Sequence, residues 1–150
     1  MTAMLAHTEA TFHFTAAAPM AEVAPLFGAE REKLWSPDWD PRFVYPAAAA
    51  DQAGMVFTVR HGDSDAVWVN TQLDLARGVV QYVYVIPDAL TTLITLHLRP
   101  DGARTRVEVT YARTALNPYA NPRVQRLADG DRKAGPEWER QINDYLRKRR

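Results

Sequence analysis

The sequence predicts an α+β domain in which a run of antiparallel strands closes on one long helix at the C-terminal end. Three observations predict it. Six stretches between Arg42 and Leu116 alternate or run apolar, and each is bounded by turn residues. A further alternating stretch, residues 8–15, precedes them, with two short helical pieces in between. The last quarter, Asn121 to Lys148, repeats apolar residues at spacings of three and four. Strands first and a helix last is the α+β order, not the alternation of a parallel α/β sheet.

At 150 residues a single domain, 1–150, is expected. A chain of that length buries roughly 70% of its unfolded surface. Lys plus Arg (18) balance Asp plus Glu (18), so nucleic-acid binding by bulk electrostatics is excluded. The absence of cysteine removes disulfides, thiolate nucleophiles and zinc–thiolate sites together. Met1 to Ala6 has no positive region and too short an apolar run for a signal peptide. Nothing approaches the ~20 apolar residues of a membrane span. No membrane insertion and a cytoplasmic location are therefore the expectation.

Taken in order, residues 8–15 place Thr8, Ala10, Phe12 and Phe14 on one face and Glu9, Thr11, His13 and Thr15 on the other. That is a half-buried strand with His13 on its wet side. Ala18-Pro19 opens a short helix with Met20, Val23, Ala24 and Phe27 inward, ended by Gly28. A second helical piece, Ala29 to Trp35, follows. Trp35-Ser36-Pro37-Asp38-Trp39-Asp40-Pro41 is a loop stiffened by its prolines. Its tryptophans either cap the core or line the mouth of a pocket. Arg42 to Tyr45 reads as an edge strand stopped by Pro46. Strands at Gly54–His61, Val67–Leu75, Val79–Ile86, Leu90–Leu98 and Thr105–Leu116 then form a meander.

In the final helix Val124, Leu127, Asp131, Ala134, Trp138, Ile142 and Tyr145 share one face, and all but Asp131 are apolar. Asn121 fits the N-cap and Pro122 the first helical position. Gly135-Pro136 predicts a kink, or a break into 121–134 and 136–148. The basic run Arg147 to Arg150 suits a helix C-terminus better than a phosphate site or localisation signal.

Chemistry-bearing residues are sparse. The histidines His7, His13, His61 and His97 have no metal-ligand spacing, and no metal or cofactor is expected. Only His61 shares a face with apolar neighbours; a surface turn is its more frequent setting, an acid–base residue at a pocket rim the alternative. Val107, Val109 and Tyr111 share a face that continues to Arg113. Such an arginine pairs with a carboxylate, carbonyl or ligand anion, or sits past the covered part of the strand with its head in water. The second option is slightly favoured. Val67, Val69, Thr71 and Leu73 look like a core face, which puts Trp68, Asn70 and Gln72 outside. Inverted, those three would line a cavity, and Tyr82 and Tyr84 raise the same alternative. Glu30, Glu32, Asp38 and Asp40 read as solvated or capping.

The first strand Thr11-Phe12-His13-Phe14, Pro19 leading to Leu26-Phe27, Trp35 with Trp39-Asp40-Pro41, and Gly54-Met55-Val56-Phe57 carry a resemblance. So do Val67-Trp68, Thr105 to Tyr111, and Trp138…Ile142…Tyr145-Leu146. On these residues the chain resembles the SRPBCC (START-like, birch-pollen-allergen-like) superfamily, in particular its bacterial polyketide cyclase/dehydrase-like members. The resemblance implies a helix-grip fold: a seven-stranded curved antiparallel sheet wrapped around the C-terminal helix, with two short helices after strand one. It also implies an apolar cavity between sheet and helix. Family members bind lipids, sterols, polyketides or hormones, and some catalyse cyclisation or dehydration.

Binding or carriage of a small hydrophobic molecule is the leading expectation. The ligand would contact Phe27, Trp35, Trp39, Phe57, His61, Val109, Tyr111, Arg113 and Trp138. A cyclase/dehydrase-like enzyme using His61 or Arg113 is the first alternative. An interaction module or homodimer, with Trp68 and Tyr82 or Tyr84 exposed, is the second.

Overall fold

The computed structural model describes residues 4–149. The start of the segment examined for a signal peptide, Met1 to Ala3, and the last basic residue, Arg150, lie outside them. Seven strands form one antiparallel sheet: β1 (His7–Ala16), β2 (Arg42–Tyr45), β3 (Val56–His61), β4 (Ser64–Asp74), β5 (Val79–Ile86), β6 (Leu90–Asp101) and β7 (Arg104–Ala115). Their order is β1-β7-β6-β5-β4-β3-β2, so β2 to β7 are a plain meander and β1 closes its far side. Between β1 and β2 lie α1 (Met20–Val23) and 3-10 helices at Ala24–Phe27 and Arg31–Leu34. A 3-10 turn at Pro118–Ala120 leads into α2 (Asn121–Arg132) and α3 (Gly135–Lys148), which lie across the sheet. No helix among the described residues is long and apolar enough to cross a membrane.

Alternation decides which face of each strand is covered. Ala10, Phe12, Phe14 and Ala16 of β1 are buried, while His13 stays exposed and meets Glu108 of β7 at 3.0 Å. Val80, Tyr82, Tyr84 and Ile86 of β5 point inward, as do Ile94, Leu96 and Leu98 of β6. β4 corrects the expected face. Ala66, Trp68 and Asn70 are buried and Val67 is exposed. A bulge then inserts Thr71: Asn70 pairs with Tyr82 but Gln72 pairs with Gln81. Beyond this extra residue the faces exchange, so that Leu73 packs on the core. The sequence pattern misled because the outer face here carries valines, which suit a pleated surface whether or not it is covered.

The C-terminal helix breaks. α2 ends at Arg132, Lys133 and Ala134 make the corner, and Pro136 lies in the first turn of α3, where its missing donor costs nothing. Asn121 is not the cap that was expected. It is already helical, and its side chain holds the N-terminal segment, accepting from the Ala6 amide (2.7 Å) and donating to the Met4 carbonyl (2.9 Å). Gly28 ends the 3-10 helix Ala24–Phe27, as expected, with φ −68°. What needs a glycine there is space, since a Cβ would meet the Asp51 carboxyl at 2.3 Å.

α3 is fastened to the end of β1. Glu139 accepts from the Thr15 amide (2.9 Å), and Asn143 accepts from the Ala17 amide (2.8 Å) and donates to the Thr15 carbonyl (3.1 Å). Gly135 makes the approach possible, because a Cβ there would stand 3.0 Å from the His13 carbonyl oxygen. Gly135→Ala should therefore lower the melting temperature, although alanine is the better helix former by roughly 1 kcal/mol. A thermal melt that rises instead would show the corner to be loose.

Candidate ligand cavity

A cavity of about 260 Å3 lies between the inner face of the sheet and the helices. It is bordered by Phe27, Glu32, Trp39, His61, Trp68, Tyr82, Tyr84, Ile94, Leu96, Tyr111, Arg113, Leu127 and Trp138. Of the expected contact residues, Phe27, Trp39, His61, Tyr111, Arg113 and Trp138 border it; Trp35, Phe57 and Val109 do not. These three stand behind the wall. Trp35 packs on Trp138 and Phe27 with ring centroids 5.5 and 5.9 Å away. Phe57 and Val109 are fully buried, Phe57 against Trp39 and Trp68. The two loop tryptophans thus divide the roles: Trp35 caps the core and Trp39 borders the cavity. Each indole N–H donates to a carbonyl of the short-helix segment, Leu26 and Ala29 respectively, at 2.7 Å. The bulky rings are buried without losing a hydrogen bond.

One wall is a stack. Trp68 and Tyr84 lie 4.5 Å apart and 17° from parallel, and His61 lies on Tyr84 at 5.0 Å and 16°. Trp68, Tyr82 and Tyr84 therefore face the interior, and the surface that an interaction module would have drawn from them does not exist. The Tyr82 hydroxyl donates to the Phe27 carbonyl at 2.7 Å, pinning the 3-10 helix at the rim. Burial first, and then the nearby Glu32 and Asp51 carboxyls, push its ionisation up.

Arg113 is not past the covered part of its strand. It is 4% exposed and binds Asp131 of α2 with both arms of the fork: Nε donates to Oδ2 and Nη2 to Oδ1, each at 2.7 Å. Nη1 donates to the Tyr84 hydroxyl (2.5 Å) and to Thr92 Oγ1 (3.1 Å). Burial works against the guanidinium charge, but the Asp131 bonds outweigh it and raise the pKa further. Its face also lies over the Tyr111 ring, 4.7 Å from the centroid.

His61 and Glu32, also on the cavity, have no such partners among the described residues. His61 is half-buried, and its Nε2 is enclosed without a hydrogen bond. Burial, then the positive charges of Arg123 and Arg113, hold its pKa below the ordinary histidine value, so the ring is neutral at neutral pH. The surface setting expected for it is thus corrected. Glu32 corrects a second expectation, that of a solvated or capping carboxylate. It sits on the 3-10 helix Arg31–Leu34 with its carboxyl at the cavity wall. No residue among those described hydrogen-bonds to that carboxyl, and Glu32 is half-buried. Burial first, and Asp51 second, push its pKa up to about 8. Asp51 itself is held by the Glu30 and Arg31 amides, which donate to it at 2.8 and 3.2 Å. At neutral pH the cavity therefore presents a carboxylic acid, a neutral imidazole, a compensated arginine and aromatic walls. Among the described residues no group of three or more His, Asp or Glu could hold a metal ion.

No family model matches the chain, and no curated protein matches it either. Solved structures do. Norcoclaurine synthase from Thalictrum flavum, as a point mutant bound to a transition-state analogue, is 11% identical with a TM-score of 0.71, covering 99% of this chain and 100% of that one. The Zhui aromatase/cyclase from Streptomyces sp. R1128 is 17% identical with a TM-score of 0.64, covering 98% and 97%. The Mll3558 protein from Rhizobium loti is 17% identical with a TM-score of 0.65, covering 95% and 99%. Sheet order, helix placement and these likenesses agree: the chain has the helix-grip fold, as its resemblance to SRPBCC proteins implied.

Proposed function

We propose that this protein binds or carries a small hydrophobic molecule with aromatic character, held between the sheet and the α2–α3 pair. The observation that carries the reading is a cavity of about 260 Å3 walled by aromatic rings, with few polar groups converging on it. Burial of apolar ligand surface at roughly 25 cal/mol per Å2 supplies the affinity. A norcoclaurine synthase of the same fold, with dopamine and hydroxybenzaldehyde bound, supports such a use of the fold.

The test is native mass spectrometry of freshly purified protein, followed by extraction of anything bound and titration with naphthalene. A discrete bound mass, or saturable naphthalene binding, supports the reading. An apo mass together with no uptake of naphthalene overturns it. Trp39→Ala should weaken binding by roughly tenfold or more, the usual loss when a central aromatic anchor is truncated. Unchanged affinity in a folded variant would take Trp39 out of the site.

One observation favours an enzyme of the cyclase/dehydrase kind as a second reading. Glu32 and His61, both neutral at neutral pH and both without a hydrogen-bond partner among the described residues, border the same space. In that reading His61 and not Arg113 moves protons, because Arg113 is locked to Asp131.

A further inference from the structure

We propose that Glu32 is the group that selects the ligand: its acid O–H donates a hydrogen bond to the carbonyl oxygen of an uncharged aryl ketone or aldehyde. This rests on the cavity-binding reading above and narrows it. Several polar groups around the cavity are already engaged. Arg113 spends four N–H bonds on Asp131, Tyr84 and Thr92. Tyr82 donates to Phe27, and the Trp39 indole to Ala29. The Glu32 carboxyl borders the same space and has no partner among the described residues; the Tyr111 hydroxyl, Trp68 Nε1 and His61 Nε2 border it unpaired as well, the last two in rings stacked along one wall. A buried polar group left without a hydrogen bond is costly, so a ligand atom that completes it gains that much in selectivity.

Charge then decides the class of that atom. The ionisable groups that face Glu32 are Asp51 from the loop before β3, Tyr82 from β5 and Tyr111 from β7. None of them brings a positive charge. Farther round the wall the guanidinium of Arg113 is neutralised by Asp131 at 2.7 Å, and His61 is uncharged. Arg123 of α2, half-buried, acts on His61 but does not border the cavity. A carboxylate ligand thus finds no free cation on the wall. An ammonium ligand would require Glu32 to ionise and both charges to lose water, a pairing that roughly breaks even when buried. A neutral acceptor oxygen carries neither cost, and the surrounding rings take the aryl part.

Four probes on one ring system test this by titration of the full chain at pH 6.5: naphthalene, 2-acetylnaphthalene, 2-naphthoate and 2-(aminomethyl)naphthalene. The ketone should bind about tenfold tighter than naphthalene, and the two charged probes weaker than naphthalene. Glu32→Leu should erase the ketone preference while naphthalene still binds. Glu32→Gln, which keeps a donor, should retain it. In the wild type the preference should fade as pH rises past about 8, and in the Gln variant it should not. Tighter binding of the naphthoate or the amine than of the ketone, or a Leu variant that keeps the preference, overturns the proposal. Failure of naphthalene itself to bind overturns the cavity reading, and this proposal with it.

Discussion

Asp131→Ala should destabilise the protein by roughly 3–5 kcal/mol, the usual result of removing one partner of a buried ion pair. The side chains of Arg113 and Asp131 are 5% and 9% exposed, so water cannot replace what is lost. The variant would leave a guanidinium facing only the Tyr84 and Thr92 hydroxyls as acceptors. The penalty belongs to the stranded charge more than to the bond itself. For that reason the double variant Arg113→Met/Asp131→Leu should recover most of the loss, since matched apolar replacements of a buried pair are often neutral or stabilising. Denaturant unfolding of the two single variants and the double variant completes the cycle. A single-variant loss under about 1 kcal/mol, the range of exposed pairs, would show that the site is wet.

Glu32→Gln should stabilise the fold, and increasingly so as the pH rises. The Glu32 pKa moves from 4.5 unfolded to about 8 folded, so between those values the folded chain holds a proton that the unfolded chain has released. Stability therefore falls with rising pH across that window and levels off above it. The full effect is on the order of 5 kcal/mol at 1.36 kcal/mol per pKa unit. The gap between wild type and Gln variant should be near zero below pH 4.5 and greatest above pH 8, read from unfolding midpoints across that range. A gap that does not change with pH would mean that Glu32 keeps its ordinary carboxylate behaviour.

Both groups are visible in the sequence, which offers a carboxylate partner for Arg113 only as the less favoured option and reads Glu32 as solvated or capping. Asp131 stood out as the one polar residue in an apolar helix stripe, and Arg113 as the cation on an apolar strand face. They are 18 residues apart on different elements, and each was weighed alone. Two opposite charges, each intruding on a core face, are a complementary pair, and that was the signal available. Glu32 offered less. In the run Glu30-Arg31-Glu32-Lys33 it looks like any solvated position, and only the 3-10 geometry turns it inward while Arg31 and Lys33 stay exposed. The strands were legible because Gly62, Asp88 and Gly102 mark the turns where the chain takes positive φ. The helix break was legible in Gly135-Pro136. The face of β4 was not, because Val67 and Val69 lie on its outer face and a bulge leaves no mark in the alternation.

The fastening of α3 to β1 has a consequence for behaviour in concentrated solution. An open sheet ends in strands whose free amides and carbonyls can template addition of a second chain. Here Glu139 and Asn143 already occupy such groups at Thr15 and Ala17. At the opposite margin β2 is 4 residues long and runs between Pro41 and Pro46, which offer no amide hydrogen. Growth of the sheet into polymers is thereby discouraged at both margins. Charge-neutral substitutions at Glu139 or Asn143 would expose that route, a liability independent of anything the cavity holds.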